Sequence, residues 1–220
     1  MPADSPAWAS ELRSDLQSEP VNQHWLPGIP GAFGKARAAG YRLGSAEYVT
    51  FADPDDRIIG GTYAALLAAL EAHPFAPFAW AGEQVTDERL APLGEPDVWP
   101  EGYCPRRHQH QVRHVHGVVL YRRALVERAL PLIERAGAGA DWLLSLHLAQ
   151  PSLPRPEDWR PVHVPIVGRL WRQHSGGAHR QFSAADRQSV ARLSGITPQY
   201  LHVIRQAPQS TAPPCLGCGP

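Results

Sequence analysis

Apolar residues in this chain come in short runs, and the spacing inside each run separates helices from strands. Trp8, Leu12 and Leu16 lie about one turn apart, which predicts an amphipathic helix over 7–17. Val21 to Gly34 is rich in Pro and Gly and reads as loop. From Ala32 to Leu43 the small residues predict a helix that offers Lys35, Arg37 and Arg42 toward one side. Tyr48, Val49 and Phe51 are β-formers in a short run, which predicts a buried strand. Thr62 to Ala72 is Ala- and Leu-rich and strongly helical, with Thr62 in the N-cap place and His73-Pro74 as the stop. Phe78 to Ala81 is the next strand. Glu83 to Gly102, with Pro92, Pro96 and Pro100, reads as a surface excursion.

The second half follows the same alternation. His108 to His116 reads as a polar strand edge or a substrate-facing surface; on a strand His108 and His110, like His114 and His116, are two apart and would share a face. An apolar strand then runs from His116 to Tyr121, and Arg122 to Ala136 is a helix that Pro131 must kink or divide. Gly137 to Asp141 breaks the chain before another helix, Trp142 to Leu148, with Asp141 in the N-cap place. Pro151 to Pro161 is a connection, and Val162 to His174 reads as a strand. Ser183 begins a helix to about Leu193, and Thr197-Pro198 opens the last one. Pro, Ser, Thr and Gly dominate from Ala207, so 207–220 reads as a disordered tail after a folded unit over 1–206.

Composition narrows the classes. Lys plus Arg and Asp plus Glu number 21 each among 220 residues, so no global field draws the chain to nucleic acid or to an anionic membrane. No apolar run approaches the ~20 residues of a membrane span, and the start lacks the basic-then-apolar order of a signal peptide. The expectation is a soluble, cytoplasmic protein. Three cysteines, Cys104, Cys215 and Cys218, do not make a disulfide framework.

The chemistry concentrates after the first strand, where Asp53, Asp55 and Asp56 follow one another around Pro54. Carboxylates this close repel unless something positive sits between them, and hard oxygen ligands suit Mg2+ or Mn2+. The competing reading is an Asp-rich turn that caps the following helix. Four histidines over 108–116 invite a zinc reading, but structural zinc sites draw on thiolates or carboxylates at a turn, and no Cys-x-x-Cys lies nearby. The Cys215-x-x-Cys218 pair stands apart from any structured segment.

The order of these pieces resembles a family-2 glycosyltransferase of the GT-A type over about Gly31 to His174. Gly34-Lys35-Ala36-Arg37 and Gly40 resemble its small-residue helix. Ala46 to Asp56 resembles its strand and Asp-x-Asp metal motif, and His116 to Arg123 is similar to the strand ending in paired Arg. Asp141-Trp142 resembles the acidic element on the acceptor side, and Trp171-Arg172-Gln173-His174 the late Arg-x-His element. The resemblance implies an α/β fold: a GT-A-like mixed sheet flanked by helices in a single domain. It implies a nucleotide-sugar donor, an acceptor hydroxyl and Mn2+ or Mg2+ on Asp53, Asp55 and His174. Lys35, Arg37, Asp53 and Arg172 would hold the diphosphate, and Asp141 would be the general base of an inverting transfer. The opening strand of the Ile-Val-Pro-Thr-Tyr-Asn type and the Asp-Asp-Gly-Ser turn are not found, so the nucleotide-binding half is expected to be abbreviated. Two other readings stand beside this one: a catalytically silent binding module of the same fold, and an unrelated His-rich metal-binding protein. Metal affinity would reside in Asp53 and Asp55 under the first reading and in His108 to His116 under the last.

Overall fold

The structure, a computed structural model, describes residues 31–100, 102–149, 159–175 and 183–195, with His24, Leu26 and Gly28 ahead of them. The predicted helices over 7–17 and from Thr197, the tail and the Cys215/Cys218 pair lie outside the described residues. Helix α1 (Phe33–Tyr41) leads into strand β1 (Tyr48–Thr50), and the acidic turn then joins β1 to a two-residue strand, β2 (Arg57–Ile58). Helix α2 (Thr62–Ala72), β3 (Phe78–Thr86), the short helix α3 (Pro105–His110) and a 3-10 turn (Val112–Val115) follow. The chain continues through β4 (Val118–Arg122), α4 (Arg123–Ile133), α5 (Ala140–Ala149), β5 (Val162–Arg172) and α6 (Ala184–Ser194).

The five strands form one mixed sheet in the order β1-β4-β3-β5-β2. Only β3 and β5 run parallel; β1/β4, β3/β4 and β2/β5 are antiparallel. Period-two alternation sends helices to both faces. Phe78, Trp80, Val119 and Tyr121 pack with residues of α1, α4, α5 and α6, whereas Ala79, Ala81, Val118 and Leu120 pack with Leu66 and Leu70 of α2. The protein is thus mixed α/β with a helix-flanked sheet. The paired arginines at the end of β4 tie backbone together. Arg122 donates to the Leu70 and Ala76 carbonyls at 2.8 and 2.9 Å, and Arg123 donates to those of Tyr41 and Ala46.

Several expectations need correction. The histidine stretch is not a strand: α3 and the 3-10 turn occupy it, and His108 and His114 are buried within them. Pro105 at the first helical position and a Cys104 Sγ that accepts from Arg107 N–H start that helix. Thr62 is the first residue of α2 and not its cap. Gly61 takes the cap with φ +81°, and the Thr62 hydroxyl donates instead to the Ile59 carbonyl at 2.7 Å. β3 runs five residues past Ala81, so the excursion begins later than the prolines suggest. Asp141 lies in the first turn of α5, one residue inside its start. β2 was not foreseen; two residues carry no period. In β5 the pairing with β3 slips around Gly82, which places Pro165 in an irregularity where its missing N–H breaks no ladder.

Candidate functional site

β1 ends, and β3 and β5 finish, on the same side of the sheet, and the turn Phe51 to Asp56 runs between its two outermost strands there. The turn closes with Asp56 N–H donating to the Asp53 carbonyl at 3.2 Å. Its three carboxylates have different fates. Asp56 is turned inward, its side chain 1 % exposed, with Oδ2 2.8 Å from Arg169 Nη1 and Oδ1 accepting from Arg172 N–H at 3.0 Å. Asp53 and Asp55 are each 42 % exposed. Asp55 Oδ2 meets His174 Nε2 at 2.8 Å, a contact that spans 119 residues of sequence.

The cations come from α1 and β5. Arg37 lies with its guanidinium 4.0 Å above the Phe51 ring and Nη1 3.2 Å from Asp141 Oδ1. Its Nε is buried without a hydrogen-bond partner among the described residues. Arg169, directly opposite Glu83 in the β3/β5 register, is buried and forks. One arm reaches Asp56, the other lies 2.5 Å from Glu83 Oε2, and Asp53 is 3.9 Å away. His116 Nδ1 stands 2.9 Å from Glu83 Oε1, and Arg113 bridges Glu83 and Asp97.

The charges sort the carboxyls. Burial would push Asp141 up, but Arg37 first, then His116 and the amides of Trp142 and Asp141, hold it below its ordinary value. Burial pushes Asp53 up, with Asp141 and Asp55 adding to it against Arg37 and Arg169. Burial likewise pushes Asp56 up to about 6, since Arg169 is shared with Glu83 and offsets only part. In Glu83 burial also raises, but His116 and Arg169 overwhelm it and hold the carboxyl far below the usual range. Asp141 and Glu83 are the firmly ionised acids of the site; Asp53 and Asp56 are protonated more readily than ordinary aspartates.

A cleft of about 500 Å³ opens beside this centre along β1 and α1, lined by Phe33, Arg37, Tyr41, Tyr48, Thr50 and Phe51 among others. Arg37 belongs to both the cleft and the acidic centre. The chain matches no model of a known protein family and no curated protein. Geometry alone therefore weighs the expected site residues.

Arg37, Asp53, Asp55, Asp141 and His174 gather on this side of the sheet, linked in part by direct contact and in part through charge. Lys35 does not join them: it is exposed and its charge acts on Glu134, because two positions along a helix turn it nearly to the opposite side from Arg37. Arg172 contributes its backbone N–H to Asp56. Of the histidines of 108–116, His108 and His114 lie edge to face in the interior, 6.2 Å apart between ring centres. His108 is hydrogen-bonded to Tyr103 OH and Ser145 Oγ at 3.1 Å each, and His114 Nε2 accepts from Cys104 N–H at 2.9 Å. His116 alone faces the acidic centre. Arg169 and Glu83 were missed as site residues, and His116 was singled out only within the histidine stretch. The available signal was a charge inside an apolar strand, Glu83 after Phe78 to Gly82 and Arg169 after Val162 to Gly168, since ions enter such runs only when paired.

Asp55 and His174 are the side chains that would hold a divalent cation here. Among the described residues no three His, Cys, Asp or Glu side chains group to hold a metal ion. Asp55 is a carboxylate of the kind Mg2+ and Mn2+ take, commonly one or two per site with water and substrate phosphates, and His174 is the imidazole beside it.

Proposed function

We propose that this protein is a metal-dependent glycosyltransferase that moves a sugar from a nucleotide-sugar donor to an acceptor hydroxyl with inversion. The observation that carries the reading is the Asp55–His174 contact at 2.8 Å, which brings the Asp-x-Asp turn and the late Arg-x-His element of the resembling segment together. Asp55 and His174 would hold Mn2+ or Mg2+, with Asp53 beside them; the ion would neutralise charge growing on the diphosphate leaving group. Arg37 offers the buried Nε to a phosphate oxygen, where its fork suits the geometry. The cleft beside it gives the nucleoside room without the opening strand of the GT-A pattern. Asp141, kept ionised, is available to take the acceptor proton. Lys35, exposed on the far side of α1, is left out of this reading.

The test is calorimetry with uridine and guanosine diphosphates, with and without Mn2+. Binding is expected only with the metal and is expected to vanish in Asp55→Ala. Absence of nucleotide binding in the presence of Mn2+ overturns the reading. Donor hydrolysis that depends on Asp55 separates an active enzyme from a silent binding module.

A further inference from the structure

The turn holds three carboxylates within four residues, yet only two face outward, and the cause lies on β5. Arg169 is 6 % exposed at its side chain and touches three parts of the fold at once, the acidic turn, β3 and His116. Nη1 holds Asp56 at 2.8 Å; Nη2 lies 2.5 Å from Glu83 and within reach of the His116 ring and carbonyl at 3.0 and 3.5 Å. Buried ion pairs are often no better stabilisers than apolar packing of the same volume, so what this one contributes is read from the groups it holds. Here that contribution is orientation. With one oxygen held by Arg169 and the other by Arg172 N–H, and its side chain 1 % exposed, Asp56 is turned away from the outward side on which Asp53 and Asp55 lie. Pro54 restricts the backbone between Asp53 and Asp55, which stay exposed, and Asp55 meets His174.

We propose that Arg169 is a positioning residue: by forking between Glu83 and Asp56 it fixes the acidic turn so that Asp55 meets His174 and Asp53 stays open to the ligand. The inference rests on the glycosyltransferase reading for what that ligand is, but the fixing of the turn is a property of the protein alone. A Lys at this position is a point charge that cannot hold two carboxylates in a set plane.

Two measurements on the full chain test it. Hydrogen exchange without metal should show the amides of Asp56, Arg57 and Ile58 exchanging faster in Arg169→Lys than in the parent chain, with those of β4 unchanged. Mn2+ titration followed by electron paramagnetic resonance should show affinity about tenfold weaker in Arg169→Lys and in Asp56→Asn, the usual scale for residues that orient a metal ligand. The double variant should be no weaker than either single one, because the two act as a unit. Asp56→Asn keeps the shape of the turn and serves if Arg169→Lys folds poorly. Unchanged exchange in the turn, exchange raised equally in β4, or Mn2+ affinity within about twofold of the parent in both variants overturns the proposal. If the parent chain itself binds no Mn2+ with or without nucleotide, the glycosyltransferase reading fails, while the exchange result still decides whether Arg169 fixes the turn.

Discussion

Asp53, Asp55, Asp56 and Asp141 show how little residue type says about role. All are aspartates on one side of one sheet, yet Asp56 is an internal strut, Asp55 meets an imidazole, and Asp141 is held ionised by Arg37. The difference is made by which cation is nearest and how much water remains. Asp141 is also the residue where capping and catalysis were expected to coincide. Its place inside the first turn of α5 still puts it near the positive end of the helix, which favours the anion. Asp141→Asn should therefore abolish sugar transfer while leaving nucleotide affinity within about threefold, since a proton acceptor and not a donor contact is removed. Steady-state rates and calorimetry on the same variant check the split. A proportional loss of binding would show instead that Asp141 acts by holding Arg37.

At the scale of elements, α1 and α4 set the distance between Arg37 and the turn. Gly34 sits where the two meet, and a Cβ there would fall 2.2 Å from the Ile133 carbonyl oxygen and 2.4 Å from that of Ala136. Both obstacles are backbone, so the helices must part. Gly34→Ala is expected to cost about 1–3 kcal/mol, the scale of overpacking, and to lift Arg37 from Phe51. Urea denaturation measures the first effect and nucleotide calorimetry the second. Elements were the level most legible in the sequence: α1, α2, α6 and the cores of β1, β3, β4 and β5 follow from spacing and stop signals. The histidine stretch failed because alternation by two is also compatible with a helix joined to a 3-10 turn, and burial of His108 and His114 carries no sequence period. Asp53, Asp55, Arg37, Asp141 and His174 were singled out from the acidic cluster and the order of the pieces, and the structure gathers them on one side of the sheet. Arg169 and Glu83 offered only a charge inside an apolar run, and which cation meets which carboxylate, here across 86 residues, is decided by the strand register.

The whole molecule keeps a titratable group in its core. His108 is fully buried, and burial, with His114 adding to it, holds the ring well below its ordinary value, so it is neutral in the fold. In the unfolded chain it charges below about pH 6.5. The unfolded state then binds more protons, and this contribution to stability, complete above that pH, is lost as the pH falls through it, by at most about 1.4 kcal/mol per pH unit. Asp56 acts in the opposite sense, since its raised folded value favours the fold on acidification toward pH 4. The informative quantity is thus a difference. Between pH 7.5 and 5.5 the parent chain should lose more stability than His108→Gln, whose amide can still bond Tyr103 and Ser145, as measured by chemical denaturation at each pH. Equal losses would mean that His108 takes up its proton without unfolding.

The segment Phe51 to Asp56 joins β1 on one margin of the sheet to β2 on the other. It works as a girth strap as much as a ligand loop. A single inserted or deleted residue would have to be absorbed at both margins, with Arg169 pulled out of reach of Asp56 or Asp55 out of reach of His174. Substitutions can retune this centre, whereas the width of the sheet sets the least number of residues that can cross it, so a deletion between the two margins should disturb the centre more than a change of side chain along the strap.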